Sequence, residues 1–246
     1  MERSILQLAE PCIRFATRRA DVPIGGSKIG GAPDLPPEAE WPTNPETLTF
    51  LAQIDLTEIS RLMPSPLPQD GLLAFFFDRT ALDEGEKACR VVHARGNLTR
   101  RRLPDGHETI HECAMDFTVG TSFPGLGSPF IELLGPMSDV EAERFASLDL
   151  RRRVGDTGSN HQLLGYPAGI QGDVMIQRAA HDRRFASWSA AERRAEARRY
   201  RQLLALDTDD NADLRWVDMG TCWFLVSATD LERHELSRAT SVIQFC

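Results

Sequence analysis

The segment His161-Gln-Leu-Leu-Gly-Tyr-Pro-Ala-Gly-Ile-Gln-Gly-Asp173 gathers polar and aromatic groups among chain-turning residues. His161, Gln162, Tyr166, Gln171 and Asp173 stand around Gly165, Pro167, Gly169 and Gly172. Glycine admits positive φ and proline fixes one dihedral. The spacing therefore predicts a tightly turned loop that presents polar groups, a common build for a binding site. A second stretch, Gly25-Gly-Ser-Lys-Ile-Gly-Gly31, has the ingredients of an anion nest with Lys28 as its cation, or of a plain glycine-rich turn. It lacks the Gly-Lys-Ser/Thr order of a P-loop, and Pro33, Pro36 and Pro37 forbid the helix that such a loop opens. Both loops are polar and distant in sequence, so they are expected to face one depression lined by Lys28, His161, Tyr166, Gln171 and Asp173. The competing reading is that His161 and Gln171 tie the loop's own backbone. Gln53 and Asp55, two apart on a predicted strand, are expected to share a face and approach the 161–173 loop.

Three other patterns are weaker. Asp207-Thr-Asp-Asp-Asn-Ala-Asp213 with Asp218 sets the oxygen-bearing side chains of Asp207, Asp209, Asn211 and Asp218 at calcium-loop positions 1, 3, 5 and 12. Ala212 stands where the sharp turn wants glycine, so an acidic turn between strands is the better reading. His107, His111 and Cys113 are soft-metal ligands, but Pro104 and Gly106 favour a strand, which sets the histidines about 13 Å apart. No metal and no cofactor is expected. There is no Gly-x-Ser-x-Gly elbow, and no cysteine has a histidine beside it in a nucleophile pattern. No catalytic residue is nominated, and the reading leans away from an enzyme.

The net charge of −8 argues against a nucleic-acid binder, despite arginine clusters at 100–102, 151–153 and 193–201. Glu192 and Glu196 interleave with the last cluster at helical pairing distances, the mark of a solvated face. The acidic total suits a basic protein partner instead. Five scattered cysteines, an odd number, fit a reducing cytosol, and no apolar run reaches membrane length. A soluble cytoplasmic protein is expected, as one domain over residues 1–246.

The elements that must carry these loops read as follows. Alternation predicts strands at 13–17 and 47–55, and composition a buried strand at 71–78. Further strands are expected at 88–94, 109–119, 130–134, 201–206, 221–227 and 241–245, with a helical turn at 57–63. Ser138/Glu141, Ser189/Glu192 and Thr229/Glu232 each fit a capping box and predict helices near 139–147, 190–200 and 230–235. One echo stands out. Leu51-Ala-Gln-Ile-Asp55 leads to Gly71 and an apolar strand, and Leu203-Leu-Ala-Leu-Asp207 leads to Gly220 and another. It reads either as a duplication into two halves or as two strand pairs that share a pattern.

The linked set Ser27-Lys-Ile-Gly-Gly31 with Pro33, Trp41-Pro42, Leu48 to Asp55, Gly71 to Phe76, His161 to Pro167, Ile170 to Asp173, Leu203 to Asp210 and Asp218 to Gly220 resembles the YwqG-like family, bacterial proteins of unknown function. The resemblance runs from about residue 11 to the end and is weakest over 79–130. It implies one α+β domain, no established activity and no cofactor. Similar families occur in toxin–immunity neighbourhoods, which implies an immunity-like binding role. The expected fold is α+β, with mixed, mostly antiparallel sheets, a few short helices and two pseudo-duplicated halves allowed by the echo. The expected function is non-enzymatic binding; the alternative is a small-ligand binder or enzyme that uses the 25–31 and 161–173 loops.

Overall fold

The computed structural model describes residues 6–43, 46–80, 89–107, 109–148, 159–181, 187–217 and 219–245. In chain order these form β1 (Glu10–Arg19), β2 (Lys28–Ile29), β3 (Asp34–Leu35), β4 (Thr49–Asp55), α1 (Leu56–Leu62), β5 (Leu72–Phe77) and β6 (Cys89–Ala94). Then follow β7 (Thr99–Arg100), β8 (Cys113–Ser122), α2 (Asp139–Leu148), β9 (His161–Leu163), α3 (Val174–His181) and α4 (Ala190–Ala197). The chain closes with β10 (Tyr200–Asp207), β11 (Gly220–Ser227), α5 (Ala228–Glu232) and β12 (Thr240–Phe245).

Ten strands form one antiparallel sheet in the order β12-β11-β10-β9-β1-β8-β2-β4-β5-β6. β3 and β7 pair with each other as a separate two-stranded sheet. The sheet curls until its ends approach: Cys89 Sγ of β6 lies 3.4 Å from the Ala239 carbonyl beside β12. Inside the curl sits the main core, which includes Ile13, Phe15, Ile29, Leu163, Leu204, Phe75 and Phe224. The α+β expectation is overturned. The helices are short and peripheral, and the molecule is largely β, a nearly closed antiparallel sheet.

The strand order reads alike from both ends. Across one half, Ile13 pairs with Leu163, Leu163 with Leu204, and Leu204 with Phe224. Across the other, Cys113 pairs with Ile29, Ile29 with Ala52, and Ala52 with Phe75. All eight residues belong to the core. The register shifts at the same place in each half, so that Leu51 and Leu203 bulge. Each bulged carbonyl accepts an amide from the turn after the short strand, Gly30 at 2.8 Å and Leu164 at 3.0 Å. Both turns are paired left-handed residues, Gly30 and Gly31 at φ 67° and 66°, Leu164 and Gly165 at 62° and 70°. A Cβ at Gly31 would come within 3.1 Å of the Glu112 Cβ, and one at Gly165 within 3.0 Å of the Cys12 Cβ. Glycine is thus required at both turns for space as well as for φ.

Several element boundaries differ from the sequence expectation. Residues 131–134 form a 3-10 turn, not a strand. The strand expected at 109–119 runs from Cys113 to Ser122. Residues 161–163, read as loop, pair on both sides as β9, and α3 begins where that loop was to end. The last helix is capped by Ser227, whose Oγ accepts the Asp230 amide at 3.0 Å, two residues before the expected Thr229. The boxes at Ser138/Glu141 and Ser189/Glu192 form.

Candidate functional site

On the outer face of β1, β9, β10 and β11, one rung of neighbouring residues reads Arg14, Gln162, Ala205 and Trp223. These four form the floor of a cavity of about 650 Å³. One wall is the 121–128 segment, a second the 166–173 loop, and a third the turn between β10 and β11. Phe145 of α2 closes one side.

The walls are held by specific bonds. The Tyr166 amide donates to Ser122 Oγ at 3.0 Å, and Gln162 Nε2 donates to the Leu164 and Tyr166 carbonyls at 2.8 and 3.0 Å. Gln244, buried on β12, accepts the Ile170 and Gln171 amides at 2.6 and 3.0 Å and so fastens the loop's far end. Asp173 accepts the Ile176 amide at 2.9 Å and caps α3. Burial raises its carboxyl above the usual range, against bonds from Ile176 and Ser128 that lower it. Asp207 accepts from the Asn160 and Thr208 amides at 2.8 and 2.9 Å and from Thr221 Oγ1 at 2.9 Å. Asp210 pairs with Arg215 at 2.8 Å. Every carboxylate lining the cavity among the described residues is therefore engaged by the protein itself. Arg14 differs: its guanidinium donates to the Thr121 carbonyl at 3.2 Å and makes no ion pair among the described residues. Gln202 also lines the cavity; its Nε2 donates to the Leu164 carbonyl at 2.8 Å, while its buried Oε1 has no partner.

The seven residues singled out in the sequence are not brought together. Tyr166 and Asp173 line the cavity. Tyr166 packs against Phe130 with centroids 5.3 Å apart, and burial followed by the nearby Glu10 pushes its phenol upward. Gln171 turns away and donates to the Phe245 carbonyl at 2.6 Å. His161 faces the core, not the loop surface. Its ring stacks on Phe15 at 5.0 Å. Its Nδ1 accepts the Asp207 amide at 3.1 Å, so Nε2 carries the proton and donates to Asp209 Oδ2 at 2.8 Å. Burial alone would raise the Asp209 carboxyl, but His161, Thr17 and the Ala212 amide outweigh it and hold it at about 2.

Lys28, Gln53 and Asp55 sit in the other half, with β2, β8 and β1 between β4 and β9. Gln53 is buried; it accepts the Asp34 amide at 2.9 Å and donates to Asp34 Oδ2 at 2.7 Å and to the Gly26 carbonyl at 2.8 Å. Asp55 caps α1 through the Thr57 amide at 2.9 Å. Lys28 is fully buried, donating to Glu112 at 2.8 Å and to the Ala32 carbonyl at 2.6 Å. Burial lowers its pKa, and Glu112 opposes that. Arg100 completes the network, at 2.5 Å from Asp34 and 3.1 Å from Glu112. Gly25 donates to Asp34 at 2.9 Å, so the glycine-rich loop does cradle an anion, and that anion is the chain's own carboxylate.

Among the described residues, no group of three or more His, Cys, Asp or Glu side chains is placed to hold a metal ion. Asp218 and the 151–153 arginines lie outside the described residues. His111 bonds Arg19 at 2.9 Å, and His107 packs on Trp41 at 6.0 Å. Arg198 pairs with Glu132 at 3.0 Å and Arg199 with Glu196 at 3.4 Å, so this cluster is engaged in ion pairs. No described helix is long and apolar enough to cross a membrane.

The floor residues Arg14, Ala205 and Trp223 escaped sequence reasoning, as did Gln202 and Gln244. Each is one outward position on an ordinary strand, and only the pairing of β1, β9, β10 and β11 makes them neighbours. No curated protein matches the chain. A family model for a domain of unknown function, DUF1963, matches residues 27–245, nearly all of the sheet described above, and the chain belongs to that family.

Proposed function

We propose that the protein binds a small molecule without transforming it, in the bacterial cytosol, and that its kinship extends to the YwqG-like proteins. The observation that carries this reading is the 650 Å³ cavity, whose size suits a small organic ligand and whose walls mix aromatic faces with a few polar groups. Among the described residues its lining holds no cysteine and no histidine, and its carboxylates are engaged by the protein's own donors. The rival reading, an immunity-like protein meeting a basic partner, rests on the net charge of −8, which names no surface.

The test uses Ala168→Trp, a substitution on the exposed loop wall that fills the cavity without entering the core. Protein purified under native conditions from its own bacterium is analysed by native mass spectrometry, with small molecules extracted and identified. A bound molecule on the wild type that is absent from the variant is the expected result. The bound form should also melt higher, since a ligand at one hundred times its Kd adds about 2.7 kcal/mol. Identical spectra and melts for the two proteins would refute the reading.

A further inference from the structure

The two halves of the sheet differ at one rung, and the difference points to a ligand. The rung Arg14, Gln162, Ala205, Trp223 has its counterpart in Ala114, Lys28, Gln53, Ala74. The turns that follow the two short strands also correspond, and the register carries Pro33 onto Pro167 and Asp34 onto Ala168. In the Lys28 half, the space above the rung is filled from within. The Asp34 carboxylate lies there, fully buried, held by Arg100, the Gln53 amide and the Gly25 amide. In the Arg14 half, alanine replaces both the carboxylate and the amide that grips it, at 168 and 205, and the cavity stands in their place.

The groups lining the cavity agree with this. Arg14 brings a guanidinium whose described contact is one backbone carbonyl. A buried or half-buried guanidinium binds best a carboxylate that takes two of its parallel donors. The neighbouring acids are engaged elsewhere: Glu10 with Tyr166, Asp173 with Ile176 and Ser128, Asp207 with Asn160, Thr208 and Thr221, and Asp210 with Arg215.

We propose that the cavity takes a small organic acid, its carboxylate on Arg14, in the space that Asp34 and Gln53 fill in the other half. This rests on the small-molecule reading above. Trp223, Phe145 and Tyr166 supply the apolar surface for its carbon frame.

The test is a fragment panel in which each carbon frame is present as carboxylate, primary amide and amine. One such set is 4-hydroxyphenylacetate, 4-hydroxyphenylacetamide and tyramine. Binding is followed by amide shifts of the cavity glycines Gly125, Gly127, Gly169 and Gly172 in 15N-labelled protein. The carboxylates are expected to bind at least tenfold tighter than their amides and amines. Arg14→Gln should erase that preference, and Arg14→Lys should restore part of it by returning the charge without the fork. Cavity shifts with amines or amides equal to or tighter than the acids would overturn the acid assignment and leave the cavity a ligand site. No cavity shift with any member, in wild type or variants, would overturn the small-molecule reading and this assignment with it.

Discussion

His161 illustrates how a residue's type can be read while its place cannot. A histidine among glycines and a proline looks like a surface group. Pairing on both sides turns it inward instead, where it stacks on Phe15 and donates to Asp209. The competing reading, that His161 and Gln171 tie the loop's own backbone, does not describe the ring either, since the amide it receives is that of Asp207 on β10. The Asp209 carboxylate that results is fully buried, with Thr17 Oγ1 at 2.6 Å on the same oxygen as His161. Its pKa falls from 3.8 to about 2 on folding. A depressed carboxyl stabilises the fold above its unfolded pKa, and that contribution is lost as pH falls from near 4 toward 2. The contribution is about 2 kcal/mol at neutral pH. Asp209→Asn should lower the urea-unfolding free energy by about that amount at pH 7, and the gap between variant and wild type should close between pH 4 and 2. A gap that stays constant down to pH 2 would show that Asp209 contributes through shape and not charge.

At the scale of elements, the sequence announces what is local and hides what is relayed. Capping boxes at Ser138 and Ser189 depend on residues three apart, and both form as read. The box at Thr229 is displaced because Ser227 and Asp230 offer the same chemistry two residues earlier, where β11 ends. The 166–173 loop is recognisable as a tight polar loop from its glycines and Pro167, yet its fastening lies on β12. Gln244 holds the Ile170 and Gln171 amides through Oε1 and reaches the Gly172 carbonyl at 3.3 Å and Gln177 at 2.6 Å through Nε2. Nothing near residue 170 in sequence signals a glutamine more than seventy positions on. Gln244→Leu keeps the volume and removes the bonds. It should cost about 2 kcal/mol or more, since each buried donor left unpaired costs about 1–3 kcal/mol. Amide exchange should accelerate at Ile170 and Gln171 before any other site in the sheet. Unchanged exchange at those two amides would mean that the loop is fastened by its own turns.

At the scale of the molecule, strand alternation and apolar runs located most of the sheet, while the assembly of those strands depended on contacts that no local pattern encodes. The echo between Leu51-to-Asp55 and Leu203-to-Asp207 was legible because each copy must supply a bulge, two inward residues and a turn-starting aspartate. The short strands β2 and β9 were not, since two or three residues carry no period. The resulting order gives a physical expectation. Phe75 and Phe224 occupy corresponding positions in the two halves and meet edge-on across the core, with centroids 5.0 Å apart at 71°. Phe77 of one half likewise meets Trp216 of the other, at 5.7 Å. The halves therefore share one core through their aromatic residues, and neither can bury its inner face alone. Phe75→Ala and Phe224→Ala should each cost about 3–5 kcal/mol. The double variant should cost less than the sum by about 0.5–3 kcal/mol, because each single change already loses the shared contact. Fluorescence of the tryptophans and far-ultraviolet dichroism should report one common unfolding transition in every variant. Additive costs, or a variant in which the two probes part, would show instead that each half carries its own stability and that the aromatic meeting is incidental to the fold.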